Sequence, residues 1–123
     1  MCLLITSLNS GSNGNCYYIG SENEAILIDA GISCKETEKR MSRLNLPMQN
    51  LKAIFVSHEH FDHIKGIETL SKKYQLPVYI TGNTLLHSGL KLDKKLLRSF
   101  KSFEKITIGN LSIIAFPKLH DAC

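Results

Sequence analysis

The chain has 123 residues, of which 43% are apolar and 21% charged, and its formal net charge is +4. That profile suits a single soluble domain able to bury its own core, and it excludes disordered and fibrous classes. No apolar run approaches the roughly 20 residues a membrane span requires. Four scattered cysteines (Cys2, Cys16, Cys34, Cys123), with no C-x-x-C pair and no N-terminal apolar h-region, point to the cytoplasm.

In chain order, CLLITSL (2–8) reads as a buried strand, followed by a Gly/Asn/Ser-rich loop, NSGSNGN, from Asn9 to Asn15. Asn13 and Asn15 flank Gly14 there, either in a plain tight turn or in a loop that offers backbone N–H groups to an anion. CYYIG and EAILIDAG read as two strands joined by the polar turn SENE. Asp29 ends an apolar strand and is expected at a sheet edge or in a buried polar network. Ser33 with Glu36 has the pattern of a capping box, predicting a helix to about Leu44 with Thr37, Met41 and Leu44 on its inner face.

LKAIFVSH (51–58) reads as a buried strand running into a histidine cluster. From Asp62, the spacing of Ile64, Ile67, Leu70 and Tyr74 predicts an amphipathic helix. LPVYIT is the next strand, and residues 83–100 are weaker helical ground interrupted by Gly89. KITIGNLSIIAF closes as a hairpin with Gly-Asn at its turn. The order ββ-β-α-β-α-β-α-ββ predicts an α/β (α+β) domain over 1–123, or part of one, with a mixed sheet and helices on one side. Much of the positive excess lies between Lys91 and Lys105. The first reading of that run is a solvated helix face, and the second is a groove for polyanions.

Chemistry concentrates in SHEHFDH, Ser57 to His63, which holds three of the five histidines. His58 and His60 are two apart at a strand end, where extended backbone points both imidazoles to one side, toward one cation. Asp62 and His63 are adjacent and converge on a single point less easily, so a second cation beside the first is expected to take them. His120, after the closing strand, supplies a third imidazole to the first cation. Imidazole and carboxylate donors suit zinc, with manganese or iron as alternatives. A bound divalent cation lowers the pKa of water and supplies hydroxide, and a pair of cations about 3.5–4 Å apart stabilises attacking and leaving oxygens. Hydrolysis is the natural reaction class, with Asp62 as the catalytic carboxylate that orients the water or accepts its proton. His87 reads as a surface residue and Asp121 as a cap.

The H-x-H-x-D-H pattern at a strand end resembles the signature of the metallo-β-lactamase-fold superfamily. The stretches SLNSGSNGNCYYI, ILIDAG and AIFVSHEHFDHIKGI, with LHDAC at the end, resemble more narrowly its VicX/YycJ-type branch of cytoplasmic bacterial hydrolases. The resemblance implies an αββα sandwich of two similar halves, of which this chain looks like the N-terminal one. It implies His58, His60 and His120 at the first metal, Asp62 and His63 at the second, and Asp29 as a hydrogen-bonding support of the metal loops. It also implies a nuclease-like or phosphodiesterase activity on nucleic acid or another phosphodiester.

Members of that superfamily run to about twice this length and use a later bridging Asp and a final His. The expectation is therefore of a hydrolase whose present chain is weak or inactive alone. The alternative is a metal-binding half-domain, catalytically incomplete, that associates with itself or with a complementary C-terminal half through an uncovered sheet face.

Overall fold

The computed structural model describes residues 3–11, 14–57 and 64–116. Strands β1 (Leu4–Asn9), β2 (Cys16–Gly20) and β3 (Ala25–Ile28) form an antiparallel meander. Strands β4 (Leu51–Phe55), β5 (Val78–Tyr79) and β6 (Leu97–Arg98) extend it in parallel, so the six-stranded sheet keeps chain order. Each parallel step carries a helix in its crossover: α1 (Cys34–Arg43), α2 (Ile67–Tyr74) and α3 (Gly82–Ser88). A 3-10 turn, Met48–Asn50, leads into β4. A separate antiparallel hairpin, β7 (Lys105–Ile108) and β8 (Leu111–Ile114), completes the described chain. The mixed sheet and its helices match the α/β reading.

The helix face of the sheet is built by strand alternation. Tyr18, Leu27, Ile54 and Val78 point to one side and pack with Met41, Ile67 and Leu70. In α1 the Ser33 hydroxyl accepts from the Glu36 N–H at 3.1 Å, and Cys34, Thr37 and Met41 are its buried residues. The Glu36 carboxylate turns to Arg40 at 3.0 Å, giving an i,i+4 pair. Leu44 lies at the C-cap and is exposed, against the expectation that it joins the inner face. Asn45 follows in the left-handed region, and the Leu46 N–H returns to the Met41 carbonyl, so the helix stops one residue before Leu44 could bury its side chain. Helix α1 is tied to α2 by Glu38, which accepts from Lys73 at 2.6 Å and from the Tyr74 hydroxyl. Those two donors hold the Glu38 carboxyl below the usual range.

Further expectations are corrected. The segment 2–8 is not a buried strand: of β1 only Leu8 is buried, and Ile5 is 65% exposed. It is the sheet's edge, so its apolar composition is not matched by a covering layer. Helix is absent from most of 83–100. Gly89, with φ +72°, ends α3, and Leu97–Arg98 instead pair with Val78–Tyr79 as a sixth strand. The basic run is therefore loop and short strand, not a helix face. Finally, the second sheet face is not bare. Ile26, Ala53 and Phe55 pack under the β7–β8 hairpin with Leu111, Ile106 and Ile113.

Candidate functional site

Strand directions bring three loops to one edge of the sheet. The C-terminal ends of β1, β3 and β4 coincide there with the start of β2. The loop from Asn9 to Asn15, the turn from Asp29 to Ser33 and the entry to the histidine segment at Ser57 thus share one rim.

Asp29 is the centre of that rim. Its side chain is 2% exposed, and its carboxylate accepts from the Ser57 backbone N–H at 2.7 Å and from the Ser57 hydroxyl at 2.5 Å. Such donors offset the desolvation of a buried charge. Its own N–H donates to the Phe55 carbonyl at 2.7 Å, continuing the β3–β4 ladder. The backbone at Asp29 has φ +64°, a left-handed turn that Asp tolerates better than most residues. Of the two expectations for Asp29, a sheet edge or a buried polar network, the burial and the Ser57 contacts bear out the second.

The neighbouring backbone interlocks. The Gly31 N–H donates to Asn15 at 2.8 Å, and the Gly66 N–H donates to Ala30 at 2.7 Å. A Cβ at Gly14 would lie 2.5 Å from the Gly31 carbonyl oxygen, so glycine is required for that approach. One short turn thus holds Ser57, through Asp29, and Gly66, through Ala30. Arg40 clamps the first loop from the helix side, donating from Nη1 to the Leu8 carbonyl at 2.8 Å and to Asn9 Oδ1 at 2.6 Å. The Asn9 amide in turn donates to the Gly14 carbonyl at 2.6 Å. Cys16 opens β2 opposite Asn9 and is fully buried. Burial first, then the Asp29 carboxylate, pushes its thiol up to about 12, so it stays protonated and unreactive at neutral pH.

The residues read as metal ligands, His58, His60, Asp62, His63 and His120, lie outside the described residues, as do Asn13 and Asp121. Among the described residues no three His, Cys, Asp or Glu side chains gather closely enough to hold a cation. The surface reading of His87 holds, with its ring Nδ1 against the Asn83 carbonyl. Ser57, Gly66 and Arg40 escaped sequence reasoning. The pairing of Ser57 with Asp29 follows from the parallel register of Ile28 with Phe55, which leaves no local signal. Gly66, inside the helical pattern expected from Asp62, is the one position whose residue type offered a hint, and it stands as N-cap of a helix that begins at Ile67.

The Metallo-beta-lactamase superfamily pattern matches residues 10–119, a span that takes in residues 58–63 and stops one short of His120. Exodeoxyribonuclease YycJ of Bacillus anthracis is 38% identical over 127 aligned positions, covering 99% of this chain and 47% of the relative. Exodeoxyribonuclease WalJ of Streptococcus pneumoniae is 33% identical, covering 94% of this chain and 45% of the relative. The chain thus spans about half the length of these curated relatives. Among solved structures, a metallo-β-lactamase from Cronobacter sakazakii superposes with a TM-score of 0.75 at 18% identity, over 91% of this chain and 50% of the other. The subclass B3 metallo-β-lactamase BJP-1 of Bradyrhizobium japonicum gives 0.73 at 19%, over 91% and 48%. At that identity the likeness concerns fold alone. No helix among the described residues is long and apolar enough to cross a membrane.

Proposed function

Because this chain belongs to the metallo-β-lactamase superfamily, we propose that it forms part of a nuclease-like phosphodiester hydrolase dependent on divalent metal. The donors present fit zinc, with manganese and iron as alternatives: His58, His60 and His120 at one cation, Asp62 and His63 at a second. Bound there, the cations supply Lewis acidity and an activated water. The chain's own contribution is placement. Asp29 and Ser57 fix the entry to the histidine segment, Ala30 and Gly66 fix its exit, and Asp62 orients the water or takes its proton. The single observation that carries the substrate class is the identity to Exodeoxyribonuclease YycJ along 99% of the chain.

A protein containing this chain, extended to the length of its relatives, is expected to hydrolyse DNA, RNA or bis-p-nitrophenyl phosphate with zinc or manganese. Asp62→Ala should lower turnover by roughly a hundredfold or more, with the melting curve little changed. No turnover on any of the three substrates removes the nuclease reading, and near-normal turnover by the variant removes Asp62 from its role.

A second reading is favoured by the exposed apolar side chains of β1, Leu4 and Ile5, at the sheet edge. In it the chain is a metal-binding half-domain that associates with a second copy or a complementary segment. Metal bound without turnover, in the same assay, selects it over the first.

A further inference from the structure

Phe103 and Phe116 form an edge-to-face pair, ring centroids 5.5 Å apart at 80°. Their exposures are 65% and 71%, so burial contributes little to either ring. Phe103 also has φ +67°, a left-handed conformation that costs a bulky side chain and that Gly or Asn would take more cheaply. Its N–H donates to the Ala115 carbonyl at 2.6 Å, which locks the pair beside the open end of the hairpin.

Two contacts set the direction of that hairpin. At its turn, the Asn110 N–H donates to Glu24, just before β3 and therefore at the sheet edge opposite the Asp29 rim. At its other end, Phe100 packs edge-on against Phe55, the last residue of β4, at 5.9 Å. Hence β7 starts and β8 finishes at the same edge as Asp29 and Ser57, and the exposed ring pair sits at that edge.

The charge around the pair is one-sided. Between Lys91 and Lys105 there are six Lys and Arg residues against Asp93 and Glu104, which accounts for the whole +4 excess of the chain. Arg98, Lys101 and Lys105 are exposed, and Lys101 and Lys105 lie two residues either side of Phe103. Both acids are turned onto their own loops: Asp93 accepts from the Lys95 N–H and Glu104 from the Lys101 N–H. Exposed aromatic rings interleaved with cations suit unpaired nucleobases on a phosphate backbone.

We propose that Phe103 and Phe116, with Lys101 and Lys105, form a stacking subsite for single-stranded nucleic acid at the rim of the site edge. The choice of polymer rests on the nuclease-like reading, but binding is measured in EDTA, where hydrolysis plays no part. Loss of turnover therefore bears on that reading alone, and loss of stacking on this one.

The test is fluorescence anisotropy of the 123-residue chain with labelled oligothymidylate and with an abasic phosphodiester of the same length. The double variant Phe103→Ala/Phe116→Ala is expected to weaken oligothymidylate binding roughly tenfold or more and to leave abasic binding unchanged. Phe103→Tyr/Phe116→Tyr should restore wild-type affinity, which separates stacking from damage to the fold. Lys101→Ala/Lys105→Ala should weaken both ligands and flatten the salt dependence. The proposal is overturned if the wild-type chain binds neither ligand. It is overturned equally if the Ala pair binds oligothymidylate like the wild type, if it loses both ligands in proportion, or if the Tyr pair fails to restore affinity. An Ala pair that only dissociates a dimer, with DNA affinity unchanged, would assign the rings to protein contact instead.

Discussion

Gly66→Ala is expected to destabilise the fold by roughly 3 kcal/mol, at the upper end of what overpacking costs. A Cβ there would lie 2.1 Å from the Ile32 carbonyl oxygen and 3.3 Å from the Cys34 N–H nitrogen. Both are backbone atoms, so no side chain can rotate away. Relief requires the turn after Asp29 to part from the head of α2, and that movement strains the hydrogen bond from Gly66 to Ala30. The control is Gly82→Ala, where a Cβ meets nothing within 4 Å and the residue opens α3. That substitution should change stability by no more than about 0.5 kcal/mol. Urea denaturation of both variants is the measurement, and equal midpoints would contradict the interlocked turn.

Asp29→Ala is the second large effect, also roughly 3 kcal/mol, from two causes that act together. Truncation removes the acceptor to which the Ser57 N–H and hydroxyl donate, and it places alanine at φ +64°. Asn tolerates the same φ and keeps one acceptor, so Asp29→Asn should lose less than half as much. A Ser57→Ala variant removes one donor of the pair and should cost about 1 kcal/mol. The ordering Ala, Asn, then Ser57→Ala in thermal or urea melts is the expected result. An Asp29→Ala chain that melts with the wild type would show that the carboxylate does not hold the entry to the histidine segment.

The local signals in the sequence were good guides to local structure. Ser33 with Glu36 marked the start of α1, the spacing of Thr37 and Met41 marked its buried face, and Gly109-Asn110 marked the hairpin turn. The H-x-H-x-D-H pattern is by itself a pointer to the superfamily. What stayed hidden depended on position in the sheet. CLLITSL has the composition of a buried strand, but burial belongs to the layer that covers a strand, and β1 stands at the edge. Leu97 and Arg98 pair because β5 presents an open edge to them, a property of β5 rather than of two residues in a basic run. Asp29 and Ser57 are 28 positions apart and meet only through the β3–β4 register. The rim of the candidate site is thus tertiary, whereas its proposed ligands are legible as a motif.

The central proposal is that His58 and His60, in the motif that follows Ser57, bind metal. Zinc per chain, measured after equilibrium dialysis of the 123-residue protein, tests it most directly. The wild-type chain should retain zinc, and His58→Ala and His60→Ala should each lose it while keeping the wild-type circular dichroism spectrum. Zinc retained at the wild-type level by the His58→Ala/His60→Ala chain, or absent from the wild-type chain itself, would contradict the account.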